Sequence, residues 1–171
     1  MQISFYVIKF INMDVNELIN FSNGTDKEYI KWEKRFEIGV PLIDEQHKSL
    51  VKLCNDLHKQ LMQNKALAQT DWREAFINAI KQGSEYVQTH FRDEENLMKA
   101  AGFADYANHK KVHDTFTQKI LTSVSTFNDA SIVTAFQFVK FLYEWILSHI
   151  AHDDKLFARA VLEYYKKTGQ Q

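Results

Sequence analysis

The chain has 171 residues, of which 45 % are hydrophobic and 13 % aromatic, and its formal net charge is −1 at pH 7. This length favours a single domain with one sizeable core, and the balanced charge does not predict a nucleic-acid-binding surface. One proline and five glycines favour long uninterrupted helices over a turn-rich β fold.

The first 30 residues are predicted to form an extension ahead of the main domain. Residues 3–11 are apolar apart from Lys9, but no basic residue precedes them, which is untypical of a signal peptide. The run is also much shorter than the roughly 20 residues that span a bilayer. We therefore expect a cytoplasmic protein without a membrane segment, in which residues 1–30 dock on the domain or contact a protein partner. The single cysteine, Cys54, fits a reducing compartment and a core position.

The main domain is predicted to span residues 31–171, and an irregular arm from Lys27 to Pro41 is predicted to lead into its first helix. Asp44 is the predicted N-cap of a first helix that runs to about Asn64. Apolar residues in the arm, and at three–four spacing in the helix, are expected to be buried. They are Trp32, Phe36, Ile38 and Val40 in the arm and Leu50, Val51, Cys54, Leu57 and Leu61 in the helix.

Three further helices are predicted. The second follows a polar turn at 63–70 and ends at Gly102, a natural C-cap. The third covers about 105–126, and the fourth begins after Ser131 and runs to about Lys167. Their predicted buried residues are Phe76, Ile80, Tyr86, Val87 and Met98, then Val112, Phe116, Ile120 and Leu121, then Phe138, Leu142, Trp145, Ile146, Leu156 and Phe157. The predicted fold is therefore all-α, an antiparallel up-down-up-down four-helix bundle with an N-terminal arm.

Five of the seven histidines lie where these helices can bring them together. Residues four apart in a helix point in the same direction, so His109 and His113 present two imidazoles to one point. His90 likewise presents an imidazole beside the carboxylate of Glu94. Antiparallel packing can place these pairs level with the remaining candidates, which are His47 in the first helix and His149 with Asp153 or Asp154 in the fourth.

Imidazole and carboxylate ligands without a thiolate suit iron, manganese or zinc. Five imidazoles, two bridging carboxylates and one bridging oxide or hydroxide fill all but one of the positions around two octahedral ions. The open position would accept a diatomic ligand. We therefore predict two iron ions, in a centre poor in anionic ligands that favours reversible binding over oxidation chemistry.

The choice between the two aspartates stays open on helical geometry alone. An ideal helix favours Asp153, four residues after His149, over Asp154, which is five residues after it. A local π-bulge would bring Asp154 to the same side. The other two histidines, His58 and His152, are expected to lie outside the site.

The sequence resembles the hemerythrin family, and its bacterial members in particular, from about Trp32 to the end of the fourth helix. A lone histidine, then HxxxE, HxxxH and HxxxxD in this order form a highly specific pattern. The resemblance implies a four-helix bundle with a di-iron centre that binds dioxygen. The stretches that carry it are IGVPLIDEQHKSL (38–50), HFRDEENLM (90–98), HKKVH (109–113) and WILSHIAHDD (145–154).

The resemblance also implies a role for each candidate ligand. It favours Asp154 over Asp153 as the fourth-helix carboxylate. By resemblance, His109, His113 and His149 hold one iron with a complete ligand set. His47 and His90 hold the iron with the open position, and the carboxylates of Glu94 and Asp154 bridge the two irons.

An apolar oxygen pocket is a further implication, and the matching positions are Leu50, Phe91, Trp145, Ile150 and Phe157. The predicted function is non-enzymatic, reversible dioxygen binding. One alternative is an oxygen or redox sensor that acts through a partner protein, contacted by residues 1–30. Another is a di-iron oxidase or an enzyme that handles nitric oxide or iron. Carboxylate-rich oxidases use paired Glu-x-x-His motifs, and residues 1–171 contain none.

Overall fold

The computed structural model describes residues 28–63 and 71–169, and within these ranges the chain is helical and contains no β-strand. The α-helices are α1 (Pro41–Gln63), α2 (Asp71–Tyr86), α3 (Arg92–Ala100), α4 (Tyr106–Ser125), α5 (Ile132–Trp145) and α6 (Asp154–Thr168). The π-helical segment Val87–Phe91 joins α2 to α3, and the π-helical segment Ile146–Asp153 joins α5 to α6, so the second and fourth bundle helices are each continuous. Short 3-10 turns precede α1 and α5.

The helices pack as an antiparallel four-helix bundle, which confirms the predicted fold class. Helix α1 packs against α2 and α5, α2 also contacts α4, and α3 contacts α6 at the other end of the bundle. In the described ranges, the helices are too short or too polar to cross a membrane. Residues 1–27 of the predicted extension and residues 64–70 of the predicted turn lie outside the described residues. The predicted domain boundary stays a prediction.

The first bundle helix begins at Pro41, so the predicted N-cap role of Asp44 is wrong. Proline suits the first helical position because its fixed φ and missing N–H cost nothing there. Asp44 instead lies in the first turn, where its carboxylate accepts hydrogen bonds from the N–H groups of Ile38 (2.8 Å) and Gly39 (3.1 Å). This carboxylate therefore fixes the arm to the helix turn that leads to His47.

Most of the predicted apolar stripes form the core. Trp32 and Val87 are only half-buried. The other predicted core residues of the arm and the whole apolar stripe of α1 are buried. Apolar burial of this kind is the main stabilising term for such a bundle. The predicted core residues that are buried are Phe36, Ile38, Val40, Leu50, Val51, Cys54, Leu57, Leu61, Phe76, Ile80, Tyr86, Met98, Phe116, Ile120, Phe138, Leu142, Trp145, Ile146 and Phe157.

Three predicted core residues are exposed, so their assignment is wrong: Val112 by 37 %, Leu121 by 54 % and Leu156 by 60 %. The buried side of α4 instead follows a stripe that includes His113 and Ile120. Val112 and Leu121 are each one residue off this stripe, which is about 100° round the helix. Leu156 is displaced in the same way from the buried stripe of α6. The buried side of both helices is predicted correctly when the candidate metal ligands are counted among the buried positions.

The helix ends carry caps that the sequence signalled. Gly102 adopts a φ of 65°, and the N–H of Phe103 donates to the Met98 carbonyl at 2.9 Å, which is the pattern of a Schellman motif. Ser131 and Thr134 form a capping box at the start of α5. These ends fix where the second and fourth bundle helices stop and start, and hence the level at which their side chains meet.

Replacing Asp44 with alanine should lower the free energy of unfolding by about 1–3 kcal/mol, because two backbone donors lose a charged acceptor. Chemical denaturation of the metal-free protein measures this change. Glu45→Ala is the matched control, since Glu45 is exposed and its side chain, among the described residues, pairs only with Lys48 at the surface, where such pairs contribute less than about 1 kcal/mol. Equal losses for the two variants would contradict the anchoring role of Asp44.

Candidate metal centre

The seven predicted ligand residues are buried together between the four bundle helices. Six of them are at most 1 % exposed, and the seventh, His109, is 6 % exposed. They form two adjacent groups that share Glu94, with the potential ligand atoms of each group within 4.8 Å of one another. The first group is His47, His90, Glu94 and Asp154, and the second is Glu94, His109, His113 and His149.

The Glu94 carboxylate faces both groups. Its Oε1 lies 3.7 Å from Nε2 of His47 and 3.5 Å from Nε2 of His90. Its Oε2 lies 3.6 Å from Nε2 of His109 and 3.2 Å from Nε2 of His113. The two oxygens of one carboxylate are therefore divided between two sets of imidazoles, which is the arrangement needed to bridge two cations.

Asp154 is divided in the same way. Its Oδ2 lies 3.1 Å from Nε2 of His47. Its Oδ1 lies 3.4 Å from Nε2 of His109 and 3.0 Å from Nε2 of His149. Both carboxylates thus stand between a pair of histidines and a trio, and all five imidazoles present Nε2 to them.

A π-helical segment brings Asp154 to this position. The segment Ile146–Asp153 ends where the N–H of Asp154 donates to the carbonyl of His149, five residues earlier. The wider turn aligns residues five apart, so Asp154 lies beside His149 Nε2. Asp153 is four residues on and contacts the other ring nitrogen, Nδ1, at 3.2 Å, while its side chain stays 45 % exposed. The two aspartates therefore contact opposite nitrogens of one imidazole.

Second contacts hold two other histidines, and the sequence reasoning missed them. Nδ1 of His90 lies 3.0 Å from Oε1 of Gln46, and Nδ1 of His113 lies 3.4 Å from Oε1 of Glu95. Tyr106 donates to the other oxygen of Glu95 at 3.0 Å. When Nε2 is free to bind a metal, Nδ1 carries the proton and donates it to these oxygens, which fixes the ring. Gln46 and Glu95 each directly adjoin a predicted ligand in the sequence, which was the available signal.

A second π-helical segment, Val87–Phe91, was not predicted. It contains His90 and directly precedes α3, which begins at Arg92 and carries Glu94. Each carboxylate of the centre is therefore on a helix that widens just before it. Segments of this kind occur frequently at functional sites.

Burial and charge act in opposite directions on two of the imidazoles. Burial disfavours the imidazolium of His47, but contacts with Asp154 and Glu94 outweigh it and raise its pKa to about 9. Burial also disfavours the imidazolium of His149, but the charge of Asp154 and the contacts with Asp153 and Asp154 together outweigh it and raise the pKa to about 10. Burial prevails at His90 and lowers its pKa to about 3. His90 is therefore in the neutral form that binds a metal, whereas His47 and His149 must release protons to do so.

Both carboxylates are held ionised despite their burial. Burial and the charge of Glu94 favour the protonated form of Asp154, but His149 and His47 lower its pKa to about 2. Burial favours the protonated form of Glu94, but its contacts with the surrounding imidazoles hold its pKa well below its usual range. Two ionised carboxylates in a dry interior need positive partners.

The donor atoms fit metal ions. Within the described residues, seven buried ligand atoms make no hydrogen bond, and leaving such atoms unpaired is costly. A set of imidazole and carboxylate donors without sulfur suits iron, manganese or zinc. The seven atoms are Nε2 of His47, His90 and His109, Oε1 and Oε2 of Glu94, and Oδ1 and Oδ2 of Asp154.

The residues of the predicted oxygen pocket are all buried, and the aromatic ones contact imidazoles of the centre. Phe91 stacks on His113 with ring centroids 3.8 Å apart, and Trp145 stacks on His149 at 4.0 Å. These two contacts are with the three-histidine group, and the side that the pocket serves stays a prediction. The buried residues are Leu50, Phe91, Trp145, Ile150 and Phe157.

The other candidates lie apart from the two groups. His152 is exposed, and His58 stacks against Tyr29 at 4.0 Å between ring centroids. Cys54 is fully buried, and its Sγ approaches the carbonyl of Val139 at 3.7 Å. Their expected places outside the metal centre agree with this geometry.

Comparison with known proteins gives consistent matches. Residues 38–161 match the family described as "Hemerythrin HHE cation binding domain". A bacteriohemerythrin of Stenotrophomonas maltophilia is 30 % identical over 141 residues, which cover 82 % of this chain and 86 % of that protein. A hemerythrin-like protein of Naegleria gruberi is 32 % identical over 123 residues, covering 72 % and 86 %. A bacteriohemerythrin of Clostridium acetobutylicum is 27 % identical over 128 residues, covering 72 % and 95 %. These matches confirm the resemblance drawn from the sequence.

Exchanging the two neighbouring aspartates one at a time should separate their roles. Asp154→Ala should lose bound iron, because a carboxylate that faces both histidine groups is removed. Asp153→Ala should keep the iron while weakening its binding by about 10- to 100-fold, as expected of a contact that orients a ligand. Iron per chain, with chelator competition for affinity, measures both. Loss of iron in the Asp153 variant alone would reverse the assignment.

Proposed function

The chain belongs to the hemerythrin family, and from that premise we propose that it binds dioxygen reversibly at a non-haem di-iron centre. It acts as a carrier, store or delivery protein rather than as an enzyme. The observation that supports this most directly is the division of Glu94 and Asp154 between two groups of histidines. One group has three imidazoles and the other has two, so equal coordination numbers would leave one position for an outside ligand.

The proposed ligand set follows the two groups. Glu94 and Asp154 would be shared by the two irons. When bound, the iron pair supplies the electrons that make dioxygen binding possible. His109, His113 and His149 would hold one iron, and His47 and His90 would hold the other.

The protein's own part is to hold the imidazoles still. The ring of Phe91 lies parallel to that of His113, with 4° between the planes, and Trp145 stacks on His149. At the ring edges, Glu95 contacts Nδ1 of His113 and Asp153 contacts Nδ1 of His149, and Gln46 contacts Nδ1 of His90 in the same way. A metal ligand held by both stacking and hydrogen bonding cannot rotate away when the outside ligand enters or leaves.

A second task is to exclude water. Leu50 and Ile150 are 1 % and 0 % exposed and belong to one apolar cluster with Phe91 and Trp145. Water in this space would help to displace a bound anion and leave the irons oxidised. A dry pocket therefore favours release of dioxygen unchanged.

The cytoplasmic location and a partner contact through residues 1–30 are part of this proposal. A fully buried free thiol, Cys54, suits a reducing compartment. The sensor alternative depends on the extension, of which residues 28–30 are described and Ile30 is buried. Deleting residues 1–27, which keeps Ile30 in place, should leave dioxygen affinity unchanged in a carrier and abolish a partner interaction in a sensor.

The test of the function is the visible absorption of the protein, reconstituted with two irons per chain and reduced without air. A band should appear on exposure to air and disappear when the oxygen is removed, over repeated cycles. His47→Gln should abolish the reversible band, whereas His152→Gln, a change at an exposed histidine, should not. Steady consumption of oxygen, peroxide or nitric oxide with a reductant would instead favour an enzyme.

Placing a polar group in the pocket should shorten the life of the oxygenated protein. Ile150→Thr keeps the branched shape but adds a hydroxyl that attracts water, so we expect irreversible oxidation to become several-fold faster. Leu156→Thr is the matched control, because Leu156 is exposed on the same bundle helix. The decay of the air-induced band measures both rates. An unchanged rate for the Ile150 variant would contradict the pocket assignment.

A further inference from the structure

Tyr86 is the most unusual polar side chain beside the metal centre. It is the last residue of α2 and directly precedes the π segment Val87–Phe91. The side chain is buried, with 7 % of the residue exposed. Its ring stacks on the imidazole of His90, with centroids 4.3 Å apart and 25° between the planes. Tyr86 therefore lines the two-histidine side of the centre.

The Tyr86 hydroxyl has no hydrogen-bond partner within the described residues, and neither has Nε1 of Trp145. The indole lies close enough to oppose the rise in the pKa of Tyr86, although the two groups do not reach hydrogen-bond geometry. An indole N–H only donates, whereas a phenol both donates and accepts. If the Tyr86 phenol and the Trp145 indole moved within hydrogen-bond distance of each other, the indole N–H would donate to the phenol oxygen. The phenol O–H would still need an acceptor.

The surroundings place this proton near the centre. The Tyr86 ring touches Phe91 at 5.8 Å between centroids, and Phe91 in turn touches Trp145 at 5.7 Å. Both neighbours belong to the predicted oxygen pocket. Burial and the nearby charges of Glu94 and Asp154 raise the pKa of the phenol well above its usual value. The hydroxyl is therefore a protonated donor in an apolar wall, within the electrostatic reach of both carboxylates.

Few acceptors can satisfy it. In the proposed function the oxygens of Glu94 and Asp154 coordinate the metals. The ring contacts of Tyr86 are with His90, Phe91 and Phe116, and the phenyl rings offer no strong acceptor. A buried donor without a partner costs free energy, and an arrangement of this kind is explained when the partner is a ligand that comes and goes.

We propose that the Tyr86 hydroxyl is a hydrogen-bond donor to the small ligand that enters the open position on the two-histidine side, and that it selects for ligands with an anionic acceptor atom. The inference rests on the proposed function, because it needs an exchangeable ligand at that position. Tyr86 would bind the ligand directly and leave the metal ligands unchanged. A pocket with apolar walls and one such donor retains small anions longer than neutral diatomic ligands.

The test uses azide as the probe on the full-length, iron-loaded, oxidised protein, followed by visible absorption. Tyr86→Phe keeps the ring and its stacking on His90 but removes the donor. One hydrogen bond to a charged acceptor corresponds to a loss of about ten-fold in azide affinity, and the loss should appear in the dissociation rate. Tyr164→Phe, at a half-buried tyrosine further along α6, is the matched control and should bind azide as the wild type does.

Thermal unfolding of the metal-free proteins gives the second measurement. Because the hydroxyl has no partner without a ligand, Tyr86→Phe should have the same Tm as the wild type or a higher one. A lowered Tm would mean that the hydroxyl stabilises the fold, and would overturn the inference. Loss of iron from Tyr86→Phe would also overturn it, since the phenol would then be a metal ligand.

The outcomes separate this inference from the proposed function. If the wild type takes up two irons and binds azide, and Tyr86→Phe binds azide equally tightly, the role of Tyr86 is wrong and the di-iron centre stands. If the wild type takes up no iron pair or binds no azide, both are wrong.

Discussion

The placement of two ionised carboxylates in a dry interior is the constraint on which the rest of this structure depends. Glu94 and Asp154 are each 0 % exposed, and a buried charge without a partner costs several kcal/mol. The five imidazoles around them relieve this cost only in part, because burial keeps His90 neutral. Two cations between the groups would satisfy the oxygens and the ring nitrogens together. The bundle therefore encloses a set of buried charges that metal cations would complete.

The two π segments are the backbone features that position residues of the centre to meet this constraint. An α-helix aligns residues three or four apart, and it would direct Asp153 rather than Asp154 to the imidazole of His149. The wider turn over Ile146–Asp153 instead gives each nitrogen of His149 its own aspartate. Asp154 is buried and also contacts two further imidazoles, those of His47 and His109, while Asp153 stays partly in solvent. The same helix thus supplies a carboxylate that is shared between the two histidine groups and a second one that contacts the outer nitrogen of His149.

The sequence predicted the bundle and the convergence of the histidines because both follow from regular spacing. It failed where a local feature replaced the regular pattern. Asp44 resembled an N-cap, but Pro41 started the helix earlier, so its carboxylate anchors the arm. Val112, Leu121 and Leu156 were assigned to the core because they are apolar, although the ligands set the phase of those helices. The segment at 87–91 contains no glycine or proline, so nothing in its composition signalled a π turn.

Tyr86 shows why a residue type alone does not decide its role. On the apolar stripe of the second helix a tyrosine is ordinarily a core residue, and its burial agrees with that interpretation. The hydroxyl distinguishes it, because a core position that needed only the ring would be satisfied by phenylalanine, as at Phe76 and Phe116 on the same apolar interior. Retaining a donor there weakens the metal-free protein unless something accepts its proton. A pocket that must hold a small anion and then release it has a use for one donor in an otherwise apolar wall. More donors would admit water and shorten the life of the bound state.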